Sequence, residues 1–407
     1  MSNPEFYWLM LEPYVHGIVV RNDVLLYNTE TKTYLTSRGV AEVAQLASTL
    51  LDPANGYVVM LPKKDINLPS VRKFTDDLRR KYMGDLLDPQ WSSTKPFNIV
   101  PKPIVKQGVK GIENHLIEIT FHLGTCNDRS IETYKEASRL FHFPVYAETS
   151  GPGMPLGILD SIAAQMETLP YATINLIVCT LPGDAMLVHL RSLFNRKPFR
   201  RKIHIPLTLT DLPPGFKLEK NEYLTVYVTF PADQRLVDRL HAVAGHLQSN
   251  PRLEFVFVVQ DDQEAELATE MIKTLACRNI SFKPYLNGNN IQFFREQVYI
   301  SEDEIKGSKP TQNQVFSRMV MNENDFGKLV ILPDGSVYAN LNNASLGNAA
   351  DHTLEDLVSE ELNHGSSWKR TRPSVEPCKN CLYQFLCPPI SNYELFSRKF
   401  NFCHINP

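Results

Sequence analysis

Between Leu116 and Leu286 the chain alternates two kinds of apolar pattern, and no other feature narrows the fold so far. Short runs rich in β-branched and aromatic residues fall at Leu116–Phe121, Pro144–Ala147, Ile174–Cys179, Ile203–Leu209, Tyr223–Phe230, Glu254–Val259 and Ser281–Leu286. In several of the gaps, apolar residues recur at helical spacing: Ile131–Leu140, Ile158–Leu169, Gln234–His246 and Gln263–Cys277. Strands separated by helices do not pair as hairpins. Each helix carries the chain back, so successive strands run parallel. The pattern predicts an α/β sheet or partial barrel with helical crossovers. No repeat of fixed period occurs, which excludes a solenoid.

The flanks read differently. Over the first 91 residues, Gly17–Asp23 and Val24–Tyr34 favour two strands turning at Arg21-Asn22-Asp23. A helix follows, with Val40, Val43, Leu46, Ala47, Leu50 and Leu51 at its spacing, then a short strand Gly56–Leu61. A second helix is expected from Ser70, as N-cap, to Leu87. The polar, proline-broken Ser92–Pro103 reads as a linker. Near the other end, Lys328–Leu332, Pro333-Asp334-Gly335 and Ser336–Ala339 predict a hairpin, and Thr353–Glu361 a helix. At ~150 residues per domain a chain of this length holds two or three units, here 1–91, 97–320 and 325–407.

With 42 basic against 45 acidic residues, the net charge of −3 argues against holding nucleic acid through its phosphates. No apolar run approaches the ~18 residues of a membrane span, and the start lacks the basic end of a signal peptide. A soluble, cytoplasmic protein is expected. The five basic residues of Asn195–Lys202 read as a solvated loop. There is no H-E-x-x-H and no G-x-x-x-x-G-K-[ST], so neither a zinc hydrolase nor a P-loop site is indicated.

Four of the seven cysteines lie in the last 30 residues, as Cys378-x2-Cys381-x5-Cys387-x15-Cys403. In a reducing compartment so tight a group reads as a metal site rather than a disulfide framework. Four thiolates suit a [4Fe–4S] cluster or a Cys₄ zinc ion, and spacing alone leaves both open.

These cysteines come with Leu332-Pro333-Asp334-Gly335-Ser336-Val337-Tyr338, Leu346-Gly347-Asn348, Leu354-Glu355-Asp356-Leu357 and Trp368. Together they resemble a SPASM domain, the auxiliary-cluster module of radical-SAM peptide maturases. The resemblance implies one auxiliary [4Fe–4S] cluster on Cys378, Cys381, Cys387 and Cys403. A second family cluster would need cysteines where this chain has Asn340 and Ser391. The family's radical centre is C-x3-C-x2-C after the first barrel strand. The similar loop here reads Cys126-x3-Ser130-x2-Thr133. One thiolate cannot hold a four-iron cluster. The resemblance thus implies a degenerate radical-SAM-like partial barrel that neither binds S-adenosylmethionine nor makes a radical.

The first unit, with Val24-Leu25-Leu26-Tyr27-Asn28-Thr29, resembles the PqqD-type, winged-helix-like recognition element that binds a leader peptide as an added strand. Taken whole, the chain is similar to pseudo-radical-SAM proteins of Bacteroidales peptide systems whose precursors carry a Gly-Gly leader. That likeness implies a non-catalytic role in maturing a ribosomally made peptide, with the precursor or a partner maturase as binding partner. An electron-transfer protein using the tail cluster, or a zinc-stabilised structural protein, are the alternatives.

Overall fold

The central sheet has one wholly apolar face and one mixed face that carries its charged and polar side chains, and that division organises the molecule. The computed structural model describes residues 5–91, 94–99, 101, 111–124, 131–144, 153–178, 184–194, 199–207, 216–246, 250–275 and 277–405.

The amino-terminal unit holds β1 (Phe6–Leu11), β2 (Val15–Val20), β3 (Asp23–Asn28), β4 (Tyr34–Ser37), α1 (Ala41–Leu51), β5 (Val58–Pro62), α2 (Lys63–Ile66), α3 (Pro69–Arg80) and β6 (Gly84–Leu87). They form two three-stranded antiparallel sheets, ordered β5-β1-β6 and β2-β3-β4. Leu9, Leu11, Leu26, Val43, Leu50, Phe74 and Leu78 close one core between them. Two expectations change here. The second predicted strand ends at Asn28, and β4 is a separate strand beyond a turn in which Lys32 has φ +59°. The predicted helix to Leu87 stops at Arg80, because Tyr82 turns left-handed (φ 53°) and Leu86 and Leu87 pair with β1. Its N-cap is Leu68 rather than Ser70, with Pro69 in the first turn.

The main body holds β7 (Glu118–His122), α4 (Ile131–Ser138), α5 (Leu156–Gln165), β8 (Thr173–Ile177), α6 (Asp184–Phe194), β9 (Arg200–Pro206), β10 (Glu222–Val228), α7 (Gln234–His246), β11 (Leu253–Val259), α8 (Asp262–Lys273) and β12 (Asn279–Pro284). The tail adds α9 (Ile291–Gln297), α10 (Glu302–Gly307), α11 (Gln312–Val320), β13 (Lys328–Ile331), β14 (Ser336–Tyr338), β15 (Gly347–Asn348), α12 (Leu354–Asn363) and α13 (Asn392–Ser397). Among the described residues nine strands make one sheet, β12-β11-β10-β9-β8-β7-β13-β14-β15. It is parallel from β12 to β13 and antiparallel through β14 and β15. The α/β expectation therefore holds. The run predicted at Pro144–Ala147 lies outside the described residues beyond Pro144, which is itself not in a strand.

On one face Ile119, Phe121, Ile174, Leu176, Ile203, Ile205, Val226 and Phe255 pack with Leu159, Ile162, Phe194 and Leu240 from the helices. The other face carries the polar residues: Glu118, Thr120, His122, Asn175, Lys202, His204, Thr225, Glu254, Ser281, Lys283 and Lys328 share the alternate register, with an apolar patch of Ile177, Tyr227, Val256 and Val258 among them. Flat, the six steps from β12 to β13 would span about 29 Å. Yet Lys328 on β13 still depresses the proton affinity of Lys283 on β12, so the sheet curls with this polar face inward. Part of that face is covered by the chain itself. The Tyr134 hydroxyl of α4 meets His122 Nδ1 at 2.7 Å, and Phe143 stacks on Tyr227 at 4.1 Å between centroids.

The basic stretch departs from its expectation. Asn195–Pro198 lie outside the described residues, but Arg200–Lys202 open β9, and Arg201 is buried against Glu219 and Glu222. Alternation in a central strand puts every second residue inside, whatever its charge.

Trp368 fixes the tail to this sheet. Fully buried, it packs on Phe326, donates its indole N–H to the Lys328 carbonyl at 3.2 Å, and donates its main-chain N–H to Glu361 at 2.8 Å. Trp368→Ala is expected to cost about 3–5 kcal/mol of stability, read as a lower urea midpoint. An unchanged midpoint would mean that the tail is held elsewhere.

Candidate metal centre and an open strand edge

Three tight backbone features deliver the four cysteines to one place. Cys378 starts a short 3₁₀ turn, and the Cys381 N–H closes it on the Cys378 carbonyl at 3.0 Å. The Cys387 N–H donates to the Tyr383 carbonyl at 2.7 Å. Cys403 lies on a parallel bridge to Ile300. All four line a single pocket with Ile305, Tyr383, Gln384, Phe402 and the Arg372–Glu394 pair. Among the described residues no three His, Cys, Asp or Glu side chains close on one metal ion.

Burial pushes up the Cys378, Cys381 and Cys387 thiols, Cys387 to about 12, while Arg372 pulls each the other way. Left to themselves they stay protonated at neutral pH; a bound metal would have to displace those protons. Arg372 is the cation that opposes burial. It pairs with buried Glu394, points Nη1 at Cys378 Sγ (3.6 Å), and donates to the carbonyls of Pro388 and Phe400 at 2.9 and 3.0 Å. With Glu394 held by Arg372, the donors left facing the pocket are the four sulfurs and the Gln384 amide. That chemistry fits a metal–sulfur group.

Of the other family positions, Thr133 sits in α4, whereas Cys126 and Ser130 lie outside the described residues. Ser391 caps α13 in a capping box with Glu394. Asn340 is fully buried and donates to Asp325 and Asn392, both at 2.8 Å, while Asn322 donates to Asp325 at 3.0 Å. Burial raises the Asp325 carboxyl to about 7. This network was not anticipated. Its only trace in the sequence is the density of asparagine between Asn322 and Asn348.

The second feature is the free edge of β4. The Asn28 N–H donates to the Thr33 carbonyl, which sets the pairing phase so that Leu35 and Ser37 bond to β3. The main-chain groups of Tyr34 and Thr36 therefore point away from β3. Lys81 takes up the Tyr34 carbonyl. Exposed Thr36 faces a groove of about 230 Å³ between β4 and α3, lined by Leu35, Ser37, Val43, Lys73, Phe74 and Asp77.

Groove and cysteine pocket belong to one packed body. Leu25 and Tyr27 of β3 join Ile305, Val315, Tyr383, Leu386 and Cys387 in one apolar cluster. The Tyr27 and Tyr34 hydroxyls donate to the Pro310 and Lys306 carbonyls at 2.8 and 3.1 Å. Just past β4, Arg38 reaches Glu302, which also accepts the Tyr383 hydroxyl at 2.7 Å.

No family model and no curated protein matches the chain. Two solved structures of Streptococcus suis SuiB, one bound to S-adenosylmethionine, are similar at 10% identity. The first covers 98% of this chain and 99% of its own, with a TM-score of 0.39; the second covers 97% and 100%, at 0.38. Scores that low establish neither a shared fold nor a shared function. No helix among the described residues is long and apolar enough to cross a membrane.

Asp325 supplies a pH test of the asparagine network. Its folded pKa, about 7, lies above the ordinary 3.8, so folding favours the protonated form. That contribution is complete below the unfolded value and is lost as pH rises through 7. Relative to wild type, Asp325→Asn should therefore gain stability on going from pH 4.5 to 7.5. Urea unfolding at both pH values reads this; a constant difference between the two proteins would refute it.

Proposed function

We propose that this chain is a radical-SAM homologue that has given up radical chemistry and serves peptide maturation by binding. In this reading residues 1–91 are a peptide-recognition unit, 97–320 a degenerate partial barrel and 325–407 a SPASM-like domain. The occupant of the first unit is a precursor peptide, added as a strand on β4; a partner maturase is the other candidate. One [4Fe–4S] cluster belongs to Cys378, Cys381, Cys387 and Cys403. The observation that carries the reading is four widely spaced cysteines lining one pocket, beside a strand edge with a ready groove.

A polynuclear cluster suits sulfurs that surround a space, whereas a zinc ion needs four donors at ~2.3 Å from one point. When bound, the cluster would supply a structural anchor and a one-electron relay. The chain's own residues do the rest. Arg372 offers an N–H toward Cys378 sulfur, and its bonds to three carbonyls hold the segments around the pocket together. The β4 edge offers main-chain donors and acceptors, with apolar Leu35, Val43 and Phe74 in the groove beside it.

Anaerobically purified protein is expected to hold about four iron and four sulfide per chain, and Cys381→Ser to lose most of both. Zinc without iron would reject the cluster. For the groove, short peptides encoded beside the gene should bind the full chain. Thr36→Pro should weaken that binding about tenfold or more, since proline removes an outward N–H yet fits an edge strand. Equal binding by the variant would place the peptide elsewhere. Release of 5′-deoxyadenosine from S-adenosylmethionine by the purified protein would overturn the loss of radical chemistry.

A further inference from the structure

The concave face of the main sheet carries Lys202 on β9, Lys283 on β12 and Lys328 on β13. Among the described residues none of these side chains has an ion pair or a hydrogen bond. Lys283 touches only rings, with its ammonium 5.5 and 5.7 Å from the centroids of Phe141 and Tyr227. The two carboxylates on this face are engaged otherwise. Glu118 accepts from Asn175 at 2.8 Å, and Glu254 from the hydroxyls of Ser281 and Thr225 at 3.1 and 3.4 Å.

Lys283 feels both of the others. Lys202 and Lys328 both oppose the charge on Lys283, beyond the cost of its burial, with Glu254 in partial compensation. Three histidines lie in the same field. Burial, with these lysines or a neighbouring histidine, drives His122 and His204 down to about 3 and His142 to about 4. They are neutral and can donate or accept. His204 is engaged at both nitrogens, by Asn175 at 3.2 Å and the Tyr227 hydroxyl at 3.4 Å, while among the described residues His122, fully buried, leaves Nε2 without a partner.

Like charges gathered on a partly buried concave surface repel, and at reduced dielectric that repulsion is not small. Lysines with no other task on this face would be expected to carry counter-charges. We infer that the inner face is a binding site for an anionic oxygen ligand, a carboxylate or a phosphate, seated among Lys202, Lys283 and Lys328. The rings of Phe141 and Tyr227 steady the Lys283 ammonium by cation–π attraction. This inference needs neither the cysteine pocket nor the β4 groove.

Calorimetric titration of the full chain with pyrophosphate, citrate and a tri-glutamate peptide tests it. At least one should bind more tightly than about 1 mM, more weakly as salt is raised, and about tenfold more weakly to Lys283→Gln and to Lys202→Gln. A pyrophosphate-only response assigns a phosphate ligand, and a response to citrate or tri-glutamate a carboxylate. A second measurement needs no variant: the bound anion should slow acylation of Lys283, read by peptide mass spectrometry, without slowing that of exposed Lys64. Overturning results are no binding by any probe, affinity unchanged in both variants, or Lys283 acylation unaffected by saturating anion.

Discussion

Parallel pairing of β13 with β7 is the contact on which the rest depends. It enters the tail as the seventh strand of the main sheet. Residues of β13 are thereby divided between two environments. Leu329 and Ile331 complete the apolar core, Val330 packs on Tyr134, and Lys328 joins the concave polar face. The Lys328 carbonyl then accepts the indole of Trp368, ten residues before the first cysteine of the pocket. Without this pairing a cysteine-rich segment of such length would have little core of its own to hold four sulfurs in place.

The periodicity of the sequence carried the architecture well wherever a strand was buried on one side and covered by a long helix. Gln234–His246 matches α7 at both ends. It failed where length was short or the period was shared. Phe6–Leu11 and Gly84–Leu87 are strands by virtue of pairing with each other, 73 to 79 positions apart, a relation that no local window contains. Leu86 and Leu87 also fit the helical spacing that precedes them, so the wrong period won. The two-sided character of the central strands was written in runs such as Lys202-Ile203-His204-Ile205, which alternate strictly. Reading them as apolar runs hid a polar face. The cysteine spacing pointed to one site, and all four side chains do line one pocket. Arg372 could not be foreseen, because its partners Pro388, Glu394 and Phe400 are brought to it only by the fold.

Charge is treated in three ways in this molecule, and the contrast is informative. Arg372–Glu394 and Arg201–Glu222 are buried pairs with further hydrogen bonds to main-chain carbonyls. Such pairs add little net stability over apolar packing, but removing one partner is costly, about 3–5 kcal/mol. They fix geometry. Exposed pairs such as Lys273–Glu270 contribute at most about 1 kcal/mol. The lysines of the concave face belong to neither group, being partly buried and, among the described residues, without an ion pair. That asymmetry distinguishes a surface shaped for something else from one shaped for stability.

On the proposed reading, one cluster position of the family has become the network of Asn340, Asp325, Asn322 and Asn392. A bound metal can contribute about 10–16 kcal/mol to folding, whereas each net hydrogen bond gives about 1. Four or five bonds cannot replace a metal centre energetically. What they can replace is its role as a junction. Asn340 joins the hairpin to α13 through Asn392, and Asn392 bonds onward to the Leu140 carbonyl and to His142. That segment carries Phe143 onto Tyr227 at the concave face. Beside β13, Trp368 is fully enclosed. A polar junction also differs from a metal in one physical respect: it titrates. With Asp325 near neutrality, the link between the hairpin and the chain covering the inner face responds to proton concentration, where a ring of thiolates around iron would respond to oxidation.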